Sequence, residues 1–381
     1  MNRNWGGRRR RLVGVAVAAS IGWAAVACGS SGPAAAPTTT RPASTAPSGV
    51  ARMPAGVTAA PTAVSHAPAR PSPGCTVAAS TVAATGEITE TMTSGGVSRT
   101  YLRYLPPGVA PTTPLPLVID IHGLGSNMTQ QQDVTQFEQL AASQHFVVLT
   151  PDGIGAKWNT VNARPNADID FLAAMLDQVE GLACVDTARV YSTGYSDGGL
   201  MSSVLACQLS SRITAVGLVS GITHGPACRP GRPVPLIVFW GKQDLVLPYY
   251  GGLGEALRDL LAGKPIPTDL TAPTAPPAQD DGFPPVEQVV ASWADTNRCP
   301  AHPVTVVAGS DVTQHIWAPC SDGTTIRFYV VADGGHAWPG SQVESAAGAS
   351  ALGRRAPIIG FTTMQISATR LIWAFFRGYA L

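Results

Sequence analysis

An α/β fold, with a mostly parallel sheet covered by helices on both faces, is what this sequence predicts. Three observations carry that expectation. Nearly continuous apolar runs such as Leu115–Ile121 are the mark of strands buried on both faces. Stretches of helical periodicity separate these runs, and alternation of strand with helix feeds parallel pairing. Hydrophobic residues make up 45% of the 381-residue chain, which supplies enough apolar surface for a sizeable core.

The elements follow in chain order. Thr85–Thr93 and Ser98–Leu105 flank Ser94-Gly95-Gly96 and read as a hairpin. Leu115–Ile121, Phe146–Thr150, Val190–Thr193, Ala215–Val219, Val234–Trp240 and Ile326–Val331 read as the strands of the sheet. Between them, Thr129–Ser143, Ile169–Gly181, Leu200–Leu209 and Val286–Asn297 read as helices. Near the C-terminus, Ala368, Leu371, Ile372, Phe375, Phe376 and Tyr379 fall on one helical face. Gly251–Pro285, rich in Gly, Pro, Thr and Ala, reads as an inserted surface loop.

The first residues read as an address. Arg8-Arg9-Arg10-Arg11 precede an apolar stretch, Leu12–Ala27, that ends in small residues, as a secretory signal does. That stretch is shorter than the ~20 residues that span a bilayer. Ala25-Val26-Ala27-Cys28 resembles a bacterial lipobox, in which the cysteine is lipidated, and the arginine run loosely resembles a twin-arginine signal. From Gly29 to Pro73 no aromatic, acidic, Leu or Ile residue occurs, so nothing there offsets the entropy of ordering. The expected organisation is a signal over 1–28, a disordered tether over 29–73, and a folded domain over 74–381 with 251–285 inserted. The product is expected outside the cytoplasm, either released by ordinary cleavage near Cys28 or held at the membrane only through a lipid on that cysteine.

Lys+Arg 25 against Asp+Glu 24 leave a net charge of +1, which argues against a nucleic-acid binder working through a basic field. Cys75, Cys184, Cys207, Cys228, Cys299 and Cys320 follow Cys28, an even set that points to disulfides in an exported chain. Many pairings are open. Cys207–Cys228 and Cys299–Cys320 join nearest neighbours, each loop contributing ~3 kcal/mol by chain entropy, and Cys75–Cys184 remains. A zinc site lacks any Cys-x-x-Cys or close His pair to build on.

The chemistry is carried by Gly194-Tyr195-Ser196-Asp197-Gly198. It lies directly after the strand ARVYST and before the helical LMSSVLACQL, the context that makes Gly-x-Ser-x-Gly a nucleophile elbow. An alcohol needs a base, and His336 lies in a Gly-rich loop just after the last predicted sheet strand. His122, His224 and His315 read as structural. Asp244, in the loop leaving Leu236–Trp240, is placed to orient the imidazole; Asp333, three residues before His336, reads as a loop-shaping residue. Developing charge on a substrate oxygen needs fixed donors, and the backbone N–H groups of Leu124 and Asp197 are the expected pair. Trp158, Tyr195 and Trp338 are the expected aromatic lining of a substrate cleft.

The assembled pattern resembles exported polyhydroxybutyrate depolymerase-like serine esterases, related to feruloyl and acetylxylan esterases. The resemblance rests on RTYLRYLPPG, LPLVIDIHGLGSN, PDGIGAKWN, DIDFLAAML, VYSTGYSDGGLMSS, the Asp244 loop with Pro248-Tyr249, and GGHAWPG, and on the two short cysteine spacings. It implies an α/β-hydrolase fold, a Ser196–Asp244–His336 triad, no cofactor or metal, and an ester substrate, either polyester or acylated polysaccharide. The family often has Ala or Asn where Asp197 stands, and the 251–285 stretch is longer than usual. A peptidase of the same fold and a wall-tethered binding protein on a dead scaffold are the alternatives.

Overall fold

The computed structural model describes residues 65, 67–76, 83–265, 270–275, 282–345 and 356–381. The expected signal, Cys28 and the tether up to residue 64 lie outside the described residues. A single ten-stranded sheet organises the rest, in the order β1-β2-β4-β3-β5-β6-β7-β10-β9-β8. Its strands are β1 (Gly86–Ser94), β2 (Val97–Leu105), β3 (Leu115–Ile121), β4 (Val147–Pro151), β5 (Val185–Tyr195), β6 (Ala215–Val219), β7 (Leu236–Gly241), β8 (Val304–Val307), β9 (Val312–Trp317) and β10 (Ile326–Val331). The strands from β4 through β3, β5, β6 and β7 to β10 pair in parallel, and antiparallel hairpins close both edges.

Alternation along each central strand divides the core in two. Leu117, Ile119 and Ile121 of β3 face one layer and Val118 faces the other. The first layer holds α3 (Ala167–Leu182), α4 (Asp197–Gln208) and α6 (Val286–Thr296), which bring Leu172, Met175, Met201, Leu205 and Trp293 onto the sheet. The second holds α2 (Phe137–Gln144) and the C-terminal α7 (Ala368–Phe376), through Phe137, Ala141, Ile372, Phe375 and Phe376. Each large apolar side chain removed from water here contributes ~1.5–3 kcal/mol. Asn127, Asn166 and Ser367 cap helix starts with side-chain oxygens that accept backbone N–H groups.

The expected helix over Thr129–Ser143 is two helices, α1 (Met128–Thr135) and α2, broken at Gln136. Gln136 adopts φ 55°, ψ 33°, and its N–H closes α1 on Gln132 O. Thr135, the last residue of α1, is tied into the interior: its hydroxyl donates to Asp120 and its carbonyl accepts from Thr369.

The tether was expected to run disordered to Pro73, and the structure corrects its end. Residues 67–73 lie on the domain: Pro71 bridges Asp186, Ser72 N–H donates to Val185 O, and Ser72 is 3% exposed. The segment has no apolar bulk to announce this, because it is held by backbone bonds to the start of β5. The 251–285 stretch is more than a bare loop. It contains α5 (Glu255–Leu261), Ala256 is buried, and Gly254 N–H bonds Val246 O two residues past Asp244.

Three disulfides join Cys75 to Cys184, Cys207 to Cys228 and Cys299 to Cys320, the expected pairing. Such a set belongs to a chain that matures in an oxidising compartment. Among the described residues no helix is long and apolar enough to cross a membrane.

Candidate active site

Ser196 alone turns the chain from β5 into α4. Its φ of 56° and ψ of −119° are a conformation that a side-chain-bearing residue seldom adopts. The turn is held because Ser196 N–H donates to Val219 O at 2.8 Å and Leu200 N–H to Ser196 O at 3.0 Å. Sterics explain the flanking glycines. A Cβ on Gly194 would sit 2.2 Å from Gly198 O, and one on Gly198 would sit 1.9 Å from Ile121 O. Only bare backbone fits there.

Asp244 and His336 meet across the ends of β7 and β10. The loops carrying them interlock, with Gln243 N–H donating to Gly334 O. Asp244 is fully buried; Oδ1 accepts the N–H groups of Val246 and Leu247 at 2.8 and 2.9 Å. Its Oδ2 lies 2.8 Å from His336 Nδ1. A carboxylate so supplied orients the ring and favours the tautomer protonated on Nδ1, which leaves Nε2 as the acceptor. Tyr195 fixes the same histidine from the other side: its hydroxyl donates to His336 O, and the two rings stack at 5.3 Å. Ser196, next to Tyr195, therefore comes to the same strand ends, and its hydroxyl makes no hydrogen bond with His336 among the described residues.

The turn after β3 supplies donors. Gly123 packs on Ser196 so closely that a Cβ there would lie 3.2 Å from Ser196 Cβ. The N–H groups of Leu124 and Asp197 have no hydrogen-bond partner among the described residues, and the latter opens α4, where the helix dipole is positive. His122 is structural as expected. It is fully buried, accepts Gly153 N–H at Nε2, and faces its neighbour's carbonyl, Gly123 O, with Nδ1. Burial, the largest influence, lowers its pKa. His224 and His315 are engaged with the Thr296 and Thr305 hydroxyls, and Asp333 sits in an exposed turn. Among the described residues no group of three or more His, Cys, Asp or Glu side chains could hold a metal.

The aromatic cleft is the expectation that needs correction. Trp338 is 1% exposed, packs edge-on against Phe137 and Tyr195, and donates its indole N–H to Thr369. It is core, and it lines nothing open. Trp158 is 5% exposed and donates its indole N–H to His122 O, so its face is spent on the loop that carries Leu124. Tyr195 spends its hydroxyl on His336 O. Aromatics beside glycines carried no mark to separate these uses.

Two carboxyls, Asp197 and Glu344, accept main-chain N–H groups, a use that residue type alone did not reveal. Asp197 Oδ2 accepts Trp158 N–H at 2.8 Å; burial, partly offset by that bond, raises its pKa to about 6. Glu344 is 3% exposed and accepts Trp338 N–H at 2.6 Å. Its only advance sign is a lone acid in a polar stretch after GGHAWPG.

A parallel sheet in this order, with a strained serine between β5 and α4 and a buried Asp–His pair beyond β7 and β10, defines the class of the α/β-hydrolases. The family model described as esterase PHB depolymerase matches residues 99–230. The chain is 28% identical over 242 residues to feruloyl esterase B of Piromyces equi, covering 61% of this chain and 41% of that protein. It is 28% identical over 382 residues to NocK of Nocardia uniformis subsp. tsuyamanensis, covering 97% of this chain and 98% of that one. Feruloyl esterase C of Emericella nidulans is 30% identical over 182 residues, 46% of this chain and 66% of that protein. Among solved structures, the acetyl xylan esterase from Aspergillus awamori superposes with a TM-score of 0.46 at 14% identity, covering 66% of this chain and 94% of that one. The chain thus spans well under half of the first of these relatives.

Proposed function

We propose that the protein hydrolyses carboxylic esters through a serine-bound acyl intermediate. The observation that supports this best is the 2.8 Å contact of His336 Nδ1 with Asp244 Oδ2, which leaves Nε2 as the acceptor, together with the strained backbone of Ser196. Ser196 Oγ attacks the ester carbonyl as His336 Nε2 takes its proton. The N–H groups of Leu124 and Asp197 receive the negative oxygen, each such donor being worth ~2.7–4 kcal/mol of barrier. Protonated His336, stabilised by Asp244, then returns its proton to the departing alkoxide. A water molecule repeats the sequence and frees the acid. The Ser196–His336 bond forms in the substrate complex, since such contacts are commonly long without substrate.

The substrate in this proposal is an acyl ester of a polysaccharide, with feruloyl or acetyl as the acyl part. The names of feruloyl esterase B of Piromyces equi and of the bifunctional acetylxylan esterase/xylanase of Neocallimastix patriciarum support it. The family description favours polyhydroxyalkanoate-type esters as the second class. Hydrolysis works after export, and Cys28 carries a lipid anchor; the mass of the mature N-terminal peptide tests the latter. A fluorophosphonate probe should label the folded chain, with the label on the peptide holding Ser196. Absence of labelling ends the serine mechanism. A panel of methyl ferulate, acetylated xylan and hydroxybutyrate oligomers identifies the acyl class.

A further inference from the structure

The chain between β10 and α7 is bonded to the His336 loop on both sides of the histidine. Gly335 N–H donates to Phe361 O and Gly340 N–H to Thr363 O, each at 2.9 Å. The approach is so close that a Cβ on Gly335 would sit 2.2 Å from Ile359 O, and one on Gly340 2.7 Å from Ile366 O. Along Phe361-Thr362-Thr363-Met364, which these contacts hold, burial runs opposite to polarity. Thr362 and Thr363 are 6% and 2% exposed, whereas Phe361 and Met364 are 53% and 47% exposed. The threonine hydroxyls are used inside, one donating to Glu344 O and the other accepting Gln365 N–H. Folding gains little from a large apolar side chain left half in water. From β10 to the C-terminus, Phe361 and Met364 are the exposed large apolar side chains among the described residues.

We propose that Phe361 and Met364 set specificity for the alcohol part of the ester, Phe361 as a platform on which a sugar ring stacks and Met364 as its flank. In the steps above His336 returns its proton to the departing alkoxide, so the alcohol stands beside the His336 loop, to which this segment is bonded. A pyranose ring carries hydroxyls at its edge and C–H bonds on its faces. Laid on an aromatic ring, a face leaves water while the hydroxyls stay in it, and the negative face of the aromatic ring attracts the C–H hydrogens. Met364 adds an unbranched thioether that adapts to the shape beside it. The role rests on the proposed hydrolysis of polysaccharide esters and assigns the residues that hold the sugar. It takes no part in breaking the bond.

The test compares esters that share an acid and differ in the alcohol: methyl ferulate with a feruloylated xylo-oligosaccharide, and methyl acetate with an acetylated one. For at least one acid the full chain should show kcat/KM about tenfold higher on the sugar ester, chiefly through KM. Phe361→Ser combined with Met364→Ser should bring that ratio to within about twofold of unity and leave the methyl ester unchanged. Phe361→Trp should keep the ratio, because the platform remains, and Phe361→Leu should lose most of it. An unchanged ratio in the double variant overturns the role. So does an equal loss on both esters, the mark of a disturbed His336 loop. If the double variant does not fold, Phe361→Leu decides, and a full ratio there overturns the role. Turnover of hydroxybutyrate oligomers but of no sugar ester sinks the platform and the polysaccharide reading together, with the serine mechanism intact. No turnover of any ester and no fluorophosphonate labelling sinks that mechanism, and this role with it.

Discussion

The carboxylate of Asp197 accepts the main-chain N–H of Trp158 at 2.8 Å, so the residue after the elbow serine holds the 153–158 loop against the sheet. That loop supports the turn after β3 that carries Leu124, because Trp158 donates to His122 O and Gly125 N–H donates to Ala156 O. Asp197→Asn keeps an acceptor and should retain most of the activity. Asp197→Ala removes it and should lower kcat/KM by about fivefold to tenfold, the worth of one bond. Steady-state kinetics with Trp158 fluorescence check this: a shifted emission for Ala but not Asn is expected.

Ser196→Ala should abolish release of p-nitrophenol from short acyl esters and leave the circular dichroism spectrum unchanged. Asp244→Asn should lower kcat by about 10⁴-fold, since an amide cannot stabilise the imidazolium and favours the wrong tautomer. Single-turnover measurements separate the two, because the asparagine variant still forms an acyl-enzyme slowly.

Asp120, fully buried on β3, gives a pH dependence of stability. Burial, its largest influence, raises its carboxyl from an ordinary 3.8 to about 8, against the bonds from Gln131 and Thr135 and with added repulsion from Glu138. The folded value lies above the unfolded one, so the folded chain holds the extra proton between them. The stability from this group is full below the unfolded value and is lost as pH rises through about 8. Asp120→Asn mimics the protonated acid. Between pH ~5 and ~9 the wild type should lose at least ~2 kcal/mol more than this variant, read from urea midpoints at each pH.

Peptide mapping without reduction should recover Cys75 joined to Cys184 and Cys207 joined to Cys228. Replacing Cys207 and Cys228 together by serine should cost ~3 kcal/mol by the chain-entropy estimate, measured by chemical denaturation.

Much of the frame was legible in the residues. β3, β6 and β10 match the expected runs residue for residue, because strands buried on both faces are nearly continuous apolar runs. β5 was read short, as Val190–Thr193 rather than Val185–Tyr195, since its first half carries Asp186, Thr187 and Arg189 for local bonds. The break at Gln136 had no Gly or Pro to signal it; it is imposed by Asp120 and Thr369, far along the chain. The strained elbow and the Asp244–His336 contact follow from motif order, because short-range sterics dictate the first and strand ends the second. What Tyr195 and Glu344 do was not readable, since each acts on a partner fixed only by tertiary packing.

The segment ahead of the domain has a mechanical consequence. Arg70, Pro71 and Ser72 are stitched to Asp186, Thr187 and Val185, and Cys75 is bonded to Cys184 just before β5 begins. Ser196 follows the opposite end of that same strand, ~33 Å away at the usual rise per residue. Tension arriving from upstream would be absorbed at the foot of the strand, by a covalent link, while the Ser196 hydroxyl beyond its tip stays unstrained by the load.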